Sequence, residues 1–174
     1  MDKEGNKKQK GFTLVELLIV LSIVAIMAAL AMPSMKNALQ KQELKGAVDR
    51  YVRHLSLAHS ETMKTKTEVY VSVSPGQNWC YGLSNVSSCN CAVANQCLLQ
   101  GVDTTFDNTD YANVSLSISQ FTVNNGNEYL VFEPIRGTAN HTGSLSFTAG
   151  QYSVVVSTTR SGVVNACSNQ LDEY

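Results

Sequence analysis

From Phe12 to Met35 the chain reads FTLVELLIVLSIVAIMAALAMPSM, apolar on all sides of a helix and interrupted by one acid, Glu16. No charge occurs for the nineteen residues from Leu17 to Met35, about the length that crosses a bilayer as a helix. The pattern then changes. From Leu44 the apolar residues Leu44, Val48, Tyr51, Val52, Leu55 and Ala58 recur at steps of three and four, which predicts a helix burying one face. Joined, the two stretches read as one long helix from about residue 12 to about residue 63. Pro33 lacks an N–H and crowds the preceding turn, so it is expected to bend or locally melt this helix.

After Lys66 the period becomes two. In TEVYVSVS the valines 69, 71 and 73 fall on one side and Glu68, Tyr70 and Ser72 on the other, as a half-buried strand requires. Pro75 and Gly76 turn the chain into NWCYGL, the returning strand of a hairpin. Further alternating runs are VSLSIS, EYLVFEP, SLSFT, YSVVVST and GVVNAC, separated by the turn-rich stretches NNGN, RGTANHTG, AGQ and TRSG. Residues 84–110 are rich in Ser, Asn, Cys and Asp and read as an irregular loop, with a short strand near Leu98. The fold class is therefore α+β: a long N-terminal helix whose second half packs on an antiparallel β-sheet domain of about six to eight strands. At 174 residues, one such domain plus an accessory helix is the expected organisation.

Charge sharpens the picture. The first ten residues, MDKEGNKKQK, are polar and basic, the outline of a leader retained on the cytoplasmic side of a membrane. An ordinary secretory signal is the alternative, since Ala29, Leu30 and Ala31 offer a cleavage pattern. Against it, Glu16 interrupts the start of the apolar core and the helical pattern continues beyond that cut. Seven Lys or Arg residues lie between residues 36 and 66, whereas from Thr67 onward only Arg136 and Arg160 oppose eight acids.

Of the five cysteines, Cys80, Cys89, Cys91 and Cys97 crowd into eighteen residues and Cys167 stands apart. In an exported chain that crowding favours disulfides. Zinc is the poorer reading, because the spacing has no C-x2-C knuckle and no His nearby. The pairing stays open: both bridges are expected among the four clustered cysteines, with a link from Cys167 back to the cluster as the alternative.

The residues KGFTLVELLIVLSIVAIMAALAMPSM closely resemble the N-terminus of type IV pilins and type II secretion pseudopilins: basic leader, Gly11, Phe12, Thr13, Glu16, apolar helix and Pro33. The resemblance implies that a prepilin peptidase cuts after Gly11 and methylates the new amine of Phe12. It also implies assembly roles for Thr13, Glu16 and Pro33. A carboxylate in a bilayer costs about 3 kcal/mol, so Glu16 needs a partner. The family supplies one in the cationic amine of Phe12 of a neighbouring subunit. Four segments follow: a leader (1–11), a transmembrane or filament-core helix (12–35), its amphipathic continuation (36–66) and a periplasmic β domain (67–174).

Farther along, NWCYGL, then YLVFEPIRGTANHTGSLSF, then YSVVVSTTRSGVVNAC resemble minor pilins and minor pseudopilins of the FimT/FimU/GspH type. The expectation is a minor pilin subunit, inserted in a bacterial inner membrane and passing into a pilus or pseudopilus. Its implied partners are the other minor pilins, the major pilin, the prepilin peptidase and the assembly platform. The alternatives are a type II secretion pseudopilin and a DNA-binding subunit used in uptake. Several members of the group carry Gly-Arg-x-Arg before the last strand; here the place reads Gly162-Val163-Val164-Asn165. With Arg136 and Arg160 the only candidate DNA contacts beyond the helix, weak or no binding is expected.

No Gly-rich phosphate loop or nucleophile elbow is present, so no catalytic residue and no cofactor is expected. His54 and His59, five apart, and His141 read as solvated or packed residues without a metal role. Asp107 and Asp110 give only a faint calcium signal.

Overall fold

The computed structural model describes residues 12–119, 122–124, 127–140 and 142–169, with the side chains of 31–34 and 120–128 excepted. The leader, Gly11 and His141 lie outside the described residues. The chain divides into two units, residues 1–38 and 39–174.

Helix α1, Leu14–Thr65, contains both stretches read from the sequence. Its helical assignment runs through Pro33 without interruption, so the backbone does not melt there. In the first unit the helix is exposed from residue 14 to residue 30 on every side. In the second unit one face is buried: Leu44, Ala47, Val48, Tyr51, Leu55 and Ala58 are all essentially inaccessible. Each large side chain on such a face contributes about 1.5–3 kcal/mol through burial. Val52 is only half-buried at the margin, and Ala47 and Thr62 extend the buried face beyond the sequence reading. The helix ends at Lys66, whose φ of 60° takes the chain into the left-handed region and whose N–H donates to the Thr62 carbonyl at 3.0 Å.

The remainder is antiparallel. Strands β1 (Val69–Ser74), β2 (Cys80–Ser84), β5 (Thr105–Asp107), β7 (Thr122–Asn124) and β8 (Asn127–Phe132) form one sheet in the order β5-β2-β1-β8-β7. Strands β6 (Ser115–Ser119), β9 (Gly143–Ala149), β10 (Tyr152–Thr158) and β11 (Val164–Ser168) form a second, in the order β11-β10-β9-β6. A reciprocal backbone pair between Gly76 and Leu116, at 2.9 and 3.0 Å, ties the two sheets. Two-residue strands β3 (Leu98–Leu99) and β4 (Val102–Asp103) pair with each other. The stretch read as an irregular loop is thus partly ordered: β5 joins the main sheet beside β2.

The core lies between the helix face and the sheets. Trp79 is 1% exposed, its indole N–H donates to the Val114 carbonyl at 2.8 Å, and its ring meets Tyr81 and Phe147. Every residue of β2 is buried, which alternation alone cannot produce. Tyr81 and Leu83 belong to the main core, while Cys80 clusters with the other bridged cysteines and Gly82 lies against Cys97.

Candidate assembly segment and globular surface

The helix starts on a cap. Thr13 stands at the N-cap and its Oγ1 accepts the backbone N–H of Glu16 at 3.2 Å, the first half of a Thr-x-x-Glu capping box. The Thr13 carbonyl meanwhile accepts the Leu17 N–H at 3.2 Å. Thr13 therefore satisfies a helix N–H that an apolar environment would leave orphaned. The acid at Glu16 falls in the first turn, where the helix dipole favours negative charge. Ser22, the one hydroxyl within the first three turns, donates to the Ile19 carbonyl at 2.7 Å and so presents no unpaired polar hydrogen. Phe12, 83% exposed, immediately precedes this cap. The resulting element is long and apolar enough to cross a membrane by length and composition.

Four of the five cysteines form a buried cluster at β2. Cys80 is joined to Cys91 and Cys89 to Cys97, while Cys167 is an exposed free thiol on the edge strand β11. The Cys89 N–H donates to the buried Ser72 Oγ at 2.9 Å, pinning the loop to β1. A Cβ at Gly82 would stand 2.4 Å from Cys97 Sγ, so a side chain there would displace the bridge. Sequence reading missed this reason for the glycine in NWCYGL.

Two further glycines converge on the helix. Gly137, in the turn after β8, has φ 63°, and a Cβ on it would sit 2.4 Å from His59 Nε2. Gly162, in the β10–β11 turn, has φ 77°, and its Cβ would sit 2.4 Å from the Gly137 carbonyl oxygen. The two turns are stacked over His59, and the Ala139 N–H donates to the Arg160 carbonyl at 3.0 Å. The candidate DNA residues Arg136 and Arg160 are thereby brought onto adjoining turns, both exposed, with no ion pair among the described residues.

His54 is packed: its Nδ1 lies 2.7 Å from the Tyr81 hydroxyl and its ring stacks on Phe106 at 3.8 Å. Burial, aided by Arg50 and Arg53, lowers its pKa to about 4, and burial pushes the Tyr81 phenol up. The aspartates serve the protein itself. Asp107 caps the short 3-10 turn at Asn108–Asp110, and Asp110 accepts from Arg50 Nη1 at 2.8 Å. Among the described residues no group of three or more His, Cys, Asp or Glu side chains is placed to hold a metal.

Comparison with known proteins agrees with these features. Residues 6–32 match the prokaryotic N-terminal methylation motif, and residues 47–162 match the type II transport protein GspH family. Prepilin peptidase-dependent protein D of Escherichia coli K12 is 33% identical over 78 residues, covering 45% of this chain and 47% of that protein. A fimbrial protein of Pseudomonas aeruginosa is 36% identical over 69 residues, covering 40% and 44%. The chain spans about half the length of the curated relatives it matches. In fold, the type IV minor pilin FimU of Pseudomonas aeruginosa PAO1 superposes with a TM-score of 0.52 at 15% identity, covering 75% of this chain and 95% of FimU. A second crystal form of FimU gives 0.51 at 13% identity, over 72% and 97%. The families and folds matched are those of structural subunits. A capped apolar helix, a methylation motif and a helix packed on antiparallel sheets all lead to one assignment: the chain belongs to the type II transport protein GspH family, with the N-terminal methylation motif and the fold of a type IV minor pilin.

Proposed function

We propose that the protein is an inner-membrane minor pilin that enters a type IV pilus, at its tip or in the complex that initiates it. The observation that carries this reading is the fully exposed apolar helix from residue 14 to residue 30, capped by Thr13 one residue after the Gly11–Phe12 junction. Such a surface is stable only in lipid or among similar helices. Prepilin peptidase cuts between Gly11 and Phe12 and methylates Phe12. Residues 12–35 then pass from bilayer to filament core, with Pro33 near the end of the inserted stretch. The exposed Glu16 pairs there with the Phe12 amine of a neighbour, each charge offsetting the other's desolvation. Residues 36–66 carry the periplasmic β domain, residues 67–174, and the bridges Cys80–Cys91 and Cys89–Cys97 form in that compartment.

The GspH description supports a second reading, a minor pseudopilin of a type II secretion system. Both use the same helix. DNA is not a main partner in either: Arg136 and Arg160 are too few for phosphate tracking. The deciding experiment measures the protein in sheared filaments. Wild type should appear there with an N-methylated Phe12, and Glu16→Ala should insert in the membrane yet be depleted from filaments. An N-terminus at Met32, or undiminished incorporation of Glu16→Ala at equal expression, defeats this reading.

A further inference from the structure

A strand edge offers unpaired N–H and C=O groups to any extended chain, so folded proteins keep their edges short, charged or covered. Among the described residues, three of the four edges of the two large sheets obey that rule. In the five-stranded sheet the outer strands are β5 and β7, three residues each, and β5 ends on Asp107. In the four-stranded sheet β6 is covered near its middle, where Gly76 pairs with both the N–H and the C=O of Leu116. The fourth edge, β11, departs from the rule. It runs for five residues, Val-Asn-Ala-Cys-Ser, without a charge, a proline or a bulge.

The hydrogen bonds show which of its groups are open. Thr159 N donates to Val163 O at 2.9 Å and Asn169 N to Ser153 O at 3.4 Å, which turns Val163, Asn165, Cys167 and Asn169 toward β10. Direction alternates along an antiparallel ladder, so Val164 and Ala166 aim their N–H and C=O groups away from β10. Those four groups meet no backbone partner among the described residues. The Val164 and Ala166 side chains are half-buried, packed against the rim of the main core. A strand laid beside β11 would both complete the ladder and cover that rim with its own alternate side chains.

We infer that β11 is a docking edge for an extended strand of an unlike subunit of the same filament, joined to the sheet by main-chain pairing. The strand that fits has apolar residues at every second position, facing the side of Val164 and Ala166. A second copy of this chain does not fit. Antiparallel pairing of two β11 strands follows a twofold axis perpendicular to the sheet, which reverses one α1 against the other, whereas subunits anchored in one membrane share a direction. Parallel pairing through the same edge puts the two cores on opposite faces of the joint sheet. The edge itself stands on the hydrogen-bond pattern, and the identity of the partner rests on the filament reading above.

The probe is a fluorescein-labelled peptide, YSVVVST, a copy of β10, which already pairs with the other side of β11. It is titrated into the full chain in micelles and followed by anisotropy. Wild type should bind saturably. Ala166→Pro should bind about tenfold more weakly, because proline removes an outward N–H and leaves the bonds to β10 in place. Cys167→Ser should bind like wild type. Amide exchange at Val164 and Ala166 should slow on binding, while Asn165 and Cys167 stay unchanged. The buried Trp79 reports by fluorescence that each variant folds, and if Ala166→Pro does not, the exchange result on wild type decides alone. No saturable binding, equal binding by a folded Ala166→Pro, dependence on the Cys167 thiol, or slowing only at other amides overturns the edge. For the partner, p-benzoylphenylalanine at position 165 is photolysed in membranes of cells that make the whole assembly. The expected adduct joins a different chain with its own N-terminal methylation motif, at an extended segment, and disappears in Ala166→Pro. Adducts only to this chain or to exported proteins without that motif overturn the assignment. Sheared filaments are assayed in parallel: wild type present without the adduct sinks the docking alone, whereas wild type absent sinks the filament reading.

Discussion

Lowering the pH should weaken the second unit through His54. In the unfolded chain an imidazole takes its proton near 6.5, whereas in the fold burial holds His54 at about 4. Between those values the unfolded state binds more protons, so stability is complete above about pH 6.5 and drains away as pH falls toward 4. The gap between 6.5 and about 4, at about 1.4 kcal/mol per pH unit, sets a ceiling of about 3.4 kcal/mol. His54 is only part-buried, so screening reduces the effect to about 1 kcal/mol between pH 7 and pH 5. Trp79, the only tryptophan and fully buried, reports unfolding by fluorescence without a label. In micelles the urea midpoint should drop by about half a molar across that interval. The reference is His54→Phe, which keeps the stack on Phe106 and removes the titrating group. If wild type and His54→Phe lose the same stability between pH 7 and pH 5, or if the His54 ring titrates near 6.5 by NMR, the reasoning is wrong.

Gly162→Ala should cost about 2–4 kcal/mol, because positive φ and the Gly137 oxygen both oppose a methyl group. Gly101→Ala, with φ 79° and open space around it, should cost about 1 kcal/mol; equal losses in urea titrations would remove the stacking argument. Breaking the Cys80–Cys91 bridge with serine at both positions should lower stability by about 2–3 kcal/mol, from the short loop it closes; an unchanged midpoint would refute this. In a gel shift at near-physiological salt the protein should bind duplex DNA weakly and lose that binding as salt rises, whereas tight binding abolished by Arg160→Ala would restore an uptake role.

Much of this was legible because burial here follows simple periods. The steps Leu44, Val48, Tyr51, Leu55 and Ala58 put one helix face in the core, and the valines of β1 are buried as written, although Ser72 on the opposite face is buried as well, under the Cys89 N–H that it accepts. What escaped were strands too short to alternate: β4, β5 and β7 hold two or three residues and exist because a neighbour offers an edge. The Thr13 cap was legible in Thr-x-x-Glu and went unread beside the stronger apolar signal. The meeting of Gly137 and Gly162 could not be read, since residues twenty-five apart share a site only through the order of β8, β9 and β10.

The two disulfides interleave along the chain, 80 to 91 and 89 to 97. Any single backbone cut between Cys80 and Cys97 therefore falls inside at least one closed ring. A protease that nicks this loop releases no fragment, and both cut ends stay tethered beside β2. The same overlap means that tension applied through the backbone passes around the segment by sulfur rather than drawing it out. The chain can thus be nicked in its least regular region and remain one covalent molecule.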